Sequence, residues 1–349
     1  MSIEICNVRI FDGIKMIKQN KVVMEKGLIS DKTKGDVIID GNGGLLLPGL
    51  IDSHVHLNGI ENLRETAKWG ITTMLDMAAP SPGFVNALKN KTGLTDILTC
   101  YTAALYPVED AEIFVKEQVE LGADYIKIII EDPPFMAPGA LEPGTIKAIV
   151  ESAHNHGKLV FAHAATLATF KMAVNANVDV VTHIPLEAQI PQYIIDEMKS
   201  KGTMTVPTMV MMKEMVRALK NRLPNGRELN FDHVKASVRS LIKSGVPVIA
   251  GTDSNHSPYA PAHVSHGISL HDELALYVEA GMTPVEALQS ATSSPAKAFE
   301  LNDRGMIEAG RRADLLLVEG DPLLNIHDTK KVKDVWIAGV QVSKEGVSL

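Results

Sequence analysis

His154-Asn155-His156-Gly157-Lys158-Leu159-Val160-Phe161-Ala162-His163 is the stretch that decides the fold. It closes a helix-period segment over 145–156, stops it at Gly157, and opens an apolar run over 159–165. Glycine supplies the left-handed position just past a helix end, where a side chain is strained. The same punctuation recurs at Gly70, Gly122, Gly202 and Gly245, each followed by another apolar run. The runs fall at 48–56, 71–78, 97–105, 125–130, 159–165, 180–185, 203–209 and 246–253. Helix-period segments at 109–122, 145–156, 187–201 and 232–244 lie between them. Strands alternating with helices over roughly 250 residues predict an α/β protein of the (β/α)8 TIM-barrel pattern. No Gly-x-Gly-x-x-Gly follows the first run, which disfavours an open dinucleotide-binding sheet.

The two chain ends read differently from this middle. Ile3 to Ile10 alternates apolar and polar residues, and Val37-Ile38-Ile39 runs into the turn-rich Asp40-Gly41-Asn42-Gly43-Gly44. Asp314 to Val318 and Val335 to Ala338 are strand-like again. Together they predict one small composite β domain from residues 1–47 and 308–349, beside a barrel over 48–307. Within Thr283-Pro284-Val285-Glu286 a capping box with Pro at the first helical position marks a helix start.

Composition excludes several classes. Of 349 residues, 45% are apolar and 22% charged, which is ordinary for a globular chain. Only two cysteines, Cys6 and Cys100, rule out a disulfide scaffold and point to a reducing compartment. A net charge of −8 argues against nucleic acid or anionic lipid as a partner. No apolar run approaches the ~20 residues of a membrane span, and no basic segment followed by an apolar stretch opens the chain. The expectations are a cytoplasmic location, a small-molecule substrate, and assembly as a homo-oligomer.

In a barrel of this kind chemistry gathers at the C-terminal ends of the strands. The 48–56 run ends Leu50-Ile51-Asp52-Ser53-His54-Val55-His56, and histidines two apart on a strand project from one face. His163 ends the 159–165 run's apolar stretch, and His183 follows Val180-Val181-Thr182. Asp253 follows Val248-Ile249-Ala250-Gly251-Thr252, where a carboxylate needs neutralising and a cation would do it. Lys127 is a lone charge in Tyr125-Ile126-Lys127-Ile128-Ile129-Ile130. Three readings of it are open: an ion pair with a carboxylate such as Glu131, an ammonium reaching the barrel rim, or a lysine of depressed pKa that takes up CO2 as a carbamate. His54, His56, Lys127, His163, His183 and Asp253 form a nitrogen and oxygen donor set without cysteine, which suits Zn2+ or another divalent first-row metal.

These segments resemble the amidohydrolase superfamily. The resemblance rests on Leu47-Pro48-Gly49-Leu50-Ile51-Asp52-Ser53-His54-Val55-His56, Gly122-Ala123-Asp124-Tyr125-Ile126-Lys127, Thr182-His183 and Gly251-Thr252-Asp253. It extends through Ala280 to Leu288, Asp303-Arg304-Gly305, Gly310 and Ala313-Asp314-Leu315, so it spans essentially the whole chain. It is nearest the imidazolonepropionase-like and prolidase-like branch, and it implies a distorted (β/α)8 TIM barrel beside a small β-sandwich formed by both chain ends. The resemblance implies two metals, with His54, His56 and Asp253 on one, His163 and His183 on the other, and a carboxylated Lys127 shared. It implies hydrolysis of a C–N bond in a small substrate, such as a dipeptide or N-acyl amino acid. A metal-bridging hydroxide would attack, with Asp253 as general base and His183 aiding the oxyanion. A cyclic amidase, lactonase or deaminase on the same site is the alternative. Deaminase-like relatives often carry a Glu soon after the histidine of the fifth strand, whereas His163-Ala164-Ala165-Thr166 holds no acid.

Tyr101 and Tyr106, near the end of the 97–105 run, are candidates to line a substrate pocket. Arg217 is a candidate substrate-carboxylate clamp, with a solvated helix face as its other reading. For His256, His263, His266 and His271 a supporting role is expected, and for His154 and His156 a helix-end role.

Overall fold

A computed structural model describes residues 1–78, 81–105, 108–131, 141–220, 228–258 and 260–342. The apolar runs form short parallel strands at Leu50–Val55, Ile71–Asp76, Asp96–Thr99, Ile126–Ile129, Val160–His163, Val180–Thr182 and Met204–Val206. The first three pair in one parallel sheet and the other four in a second. Helices Ala111–Glu120, Pro143–Asn155, Gln192–Lys201 and Phe231–Ser244 occupy the expected intervals. Gly70, Gly122, Gly157, Gly202 and Gly245 all have φ between +66° and +89°, as their helix-stopping role requires. Thr283 caps Pro284–Ser290 with the reciprocal Glu286 contact.

The eighth run departs from expectation. Residues 246–253 form no strand and join their neighbours by single parallel bridges, Val248 to Thr205 on one side and Ser254 to Val55 on the other. Pro247 has no N–H to donate, and the Ala250 N–H is taken by the Ser290 carbonyl. A further single bridge, Ala104 to Ile128, lies between the two parallel sheets. The expected eight-stranded ladder is therefore met as seven parallel strands in two sheets with bridge contacts between them, and no continuous closed sheet is present among the described residues.

Two more sheets come from the chain ends. One, in the order Leu28–Ser30, Val22–Glu25, Ser2–Cys6, Val37–Asp40, uses the N-terminal segment alone. The other interleaves both ends: Leu45–Pro48 pairs antiparallel with Leu315–Val318, which pairs with Val332–Ile337. Ile5, Met24 and Ile29 from the first sheet pack in one buried cluster with Ile10, Leu46, Leu315, Leu317 and Trp336 from the second. Below the parallel strands, Arg304 and Arg312 converge on buried Asp96, at 2.8 and 3.1 Å. No helix of the described residues is long and apolar enough to cross a membrane.

Candidate metal centre

The strand ends bring three predicted ligands together. One ligand atom each of His54, His183 and Asp253 lies within 4.8 Å of the others. Asp253 Oδ1 stands 3.4 Å from His54 Nε2 and 3.1 Å from His56 Nε2. The His163 and His183 rings meet edge to face with centroids 4.3 Å apart, and His54 and His183 are 5.0 Å apart. The backbone is turned to achieve this. His183 has φ +73° and Asp253 φ +58°, a region that costs non-glycine residues of order 1–3 kcal/mol and is characteristic of functional sites. Gly251 permits the approach: a Cβ there would meet Val206 Cγ1 at 2.5 Å and the His54 backbone nitrogen at 2.9 Å.

Electrostatics favour the ligand forms. Burial pushes the His54 pKa down to about 3 and drives that of His183 well below the usual imidazole value. Both are therefore neutral at pH 7, the state a metal binds. Burial opposes ionisation of Asp253, but His54 and His56 together hold its pKa well below the ordinary carboxylate value. His54 turns its Nε2 toward Asp253, so Nε2 is the nitrogen that a cation beside that carboxylate would take. The nitrogen and oxygen donor set fits a divalent metal.

Lys127 is fully surrounded, and its Nζ donates to Thr182 Oγ1 at 3.2 Å. Burial lowers its pKa to about 8, and its charge acts on both His54 and His183. Glu131 is not its partner: Oε1 of Glu131 lies 2.6 Å from His163 Nε2. An acid thus does stand beside His163, delivered from two residues past the Ile126–Ile129 strand rather than by the chain following His163. No local pattern marks this pairing, because it joins two neighbouring strand ends.

The weaker candidates separate. Tyr101 is buried with Leu57, Leu63 and Val85, and its hydroxyl donates to Asn86 at 3.2 Å. Arg217 is exposed on the Met209–Leu219 helix and paired with Glu214 at 2.5 Å, the arrangement of a solvated face. Neither shares a hydrogen bond, ion pair or ring contact with the His–Asp cluster among the described residues. Tyr106 lies outside the described residues. His154 pairs with Asp179 at 2.9 Å at its helix end. His266 faces the His56 carbonyl at 3.1 Å and Asn62 at 3.3 Å, supporting the backbone that carries His56. Thr208, which no motif singles out, places its Oγ1 2.8 Å from His183 Nδ1.

The family model for the amidohydrolase family matches residues 45–342, and the chain belongs to that family. Among curated proteins, ochratoxinase from Aspergillus niger is 27% identical over 258 residues, 69% of this chain and 50% of that protein. Imidazolonepropionase from Deinococcus radiodurans is 28% identical over 160 residues, 45% of this chain and 38% of that protein. The chain spans half or less of the length of these two relatives. Among solved structures, a Xaa-Pro dipeptidase with bound methionine superposes with TM-score 0.82 at 22% identity, covering 98% of this chain and 99% of that one. Aspergillus niger ochratoxinase superposes with TM-score 0.78 at 19% identity, covering 97% and 95%. These likenesses carry the fold.

Proposed function

We propose that this chain is a divalent-metal-dependent hydrolase that cleaves a C–N bond in a small substrate such as a dipeptide or an N-acyl amino acid. The observation that carries the reading is the buried convergence of His54, His183 and Asp253 in a member of the amidohydrolase family. His54, His56 and Asp253 would hold one metal and His163 and His183 a second, with a carboxylated Lys127 shared. Zn2+ suits this nitrogen and oxygen set. Such a metal supplies Lewis acidity toward the substrate carbonyl and lowers the pKa of water toward neutrality. Asp253 accepts a proton from the attacking water and returns it to the leaving amine. The histidines on either side of Asp253 orient it for that transfer. Lys127, with its pKa lowered to about 8, is partly uncharged near neutral pH, the form that adds CO2 with loss of a proton.

The match to imidazolonepropionase supports a cyclic amide as the second reading of the substrate. We read residues 1–47 and 308–349 as a composite β unit and place no ligand on it. The test is a panel of dipeptides, N-acyl amino acids and cyclic amides given to the Zn2+-loaded and the metal-free protein. Hydrolysis of a linear substrate by the loaded form alone is expected. Turnover confined to cyclic substrates would move the assignment to the second reading.

A further inference from the structure

Thr208 is the N-cap of the Met209–Leu219 helix, yet its side chain caps nothing. A threonine at an N-cap ordinarily accepts from an N–H one turn on. Here its hydroxyl is turned to His183 Nδ1 at 2.8 Å, and its backbone sits at φ +48°, unfavourable for a β-branched residue. The helix N–H groups are satisfied from elsewhere. Oε1 of Glu273 accepts from Met209 N–H and Oε2 from Val210 N–H, both at 2.7 Å. Glu273 is fully buried on the Ile268–Ala280 helix, 63 residues further along the chain from Val210. One turn on, Tyr277 donates to the Ile249 carbonyl at 3.0 Å, in the segment that leads to Asp253.

We propose that Glu273 and Thr208 form a positioning relay: Glu273 caps the Met209–Leu219 helix in place of Thr208, which frees the Thr208 hydroxyl to fix the tautomer and orientation of His183. With the Nδ1–H donating to Thr208, the Nε2 lone pair is the one left for a cation. Burial pushes the pKa of the Glu273 carboxyl up to about 8, while the two backbone N–H groups of the helix start pull it down. The metal part of this inference rests on the function proposed above, whereas the tautomer does not.

The test reads the two separately. Two-bond 1H–15N spectra of the metal-free protein give the tautomer of each histidine, with His183 assigned by its disappearance in H183Q. The relay predicts the Nδ1–H form in the wild type, loss of that preference in T208V, its retention in T208S, and a partial loss in E273Q. Zn2+ titration is then expected to show about 10–100-fold weaker binding in T208V than in T208S, as for other hydrogen-bond partners of metal-ligating histidines. An Nε2–H tautomer in the wild type, or an unchanged His183 signal in a folded T208V, overturns the relay. A wild-type protein that shows the predicted tautomer and takes up no Zn2+ supports the relay and overturns the metal reading instead.

Discussion

Asp52 and Thr252 are 200 residues apart in sequence and share two hydrogen bonds: Asp52 Oδ1 accepts the Thr252 N–H at 3.0 Å and Oδ2 accepts its hydroxyl at 2.7 Å. The same Oδ1 lies 3.3 Å from the His54 N–H. One buried side chain therefore clamps the residue beside Asp253 to the strand that carries His54. Removing it in D52A strands a buried N–H and a buried hydroxyl. We expect a loss of about 2–6 kcal/mol in urea unfolding of the metal-free protein, at ~1–3 kcal/mol for each unsatisfied group. An unchanged unfolding midpoint would show that the clamp is dispensable.

In the proposed mechanism Asp253 moves the proton, so its replacement has a kinetic signature. D253N is expected to lower kcat by about 10²–10⁴-fold, the usual range for loss of a general base, with a smaller change in KM. Steady-state kinetics on the best substrate of the panel checks this. Wild-type kcat in D253N removes Asp253 from the proton transfer.

Lys127 is buried among the same groups. If its carbamate is shared between two metals, K127A binds less metal per chain, and wild-type reconstitution from the metal-free state depends on added bicarbonate. Metal analysis after desalting reads both. Equal metal content in K127A and wild type contradicts the shared carbamate.

Stability should depend on pH through the buried imidazoles. Burial lowers the pKa of His54 to about 3, and those of His266 and His271 to about 4. Their unfolded values lie near 6.5. Between these limits the unfolded chain binds protons that the folded chain does not, so stability is full above pH 6.5 and is lost as pH falls toward 4. Each histidine contributes up to about 1.4 kcal/mol per pH unit in that window. Calorimetry of the metal-free protein is expected to show a falling Tm from pH 6.5 to 4. A flat Tm across that interval would mean these histidines are protonated in the folded state.

Much of this architecture was legible before any coordinates. Gly157 and its counterparts punctuate the chain because a left-handed backbone leaves few residue choices, and periodicity located seven of eight runs as strands. The run at 246–253 misled because its apolar composition is that of a strand, while Pro247 and the diverted Ala250 N–H break its ladder. The site's ligands stood out as charged or basic residues ending apolar runs. Their supports did not. Glu131 meets His163 across neighbouring strands, and Glu273 reaches Met209 over 64 residues. Local pattern carries no information on such pairings, since they depend on how helices pack. Arg217 was legible as an exposed helix residue, and it pairs with Glu214 on that face.

The central claim is metal-dependent C–N hydrolysis at the His54–His183–Asp253 cluster. Its most direct test is turnover of one linear amide substrate by a single preparation, before chelation, after chelation, and after Zn2+ is restored. The account predicts activity that disappears with the metal and returns with Zn2+ in the wild type, and that does not return in H54A or H183A. Turnover that survives complete chelation, or full recovery in H54A and H183A, would contradict it.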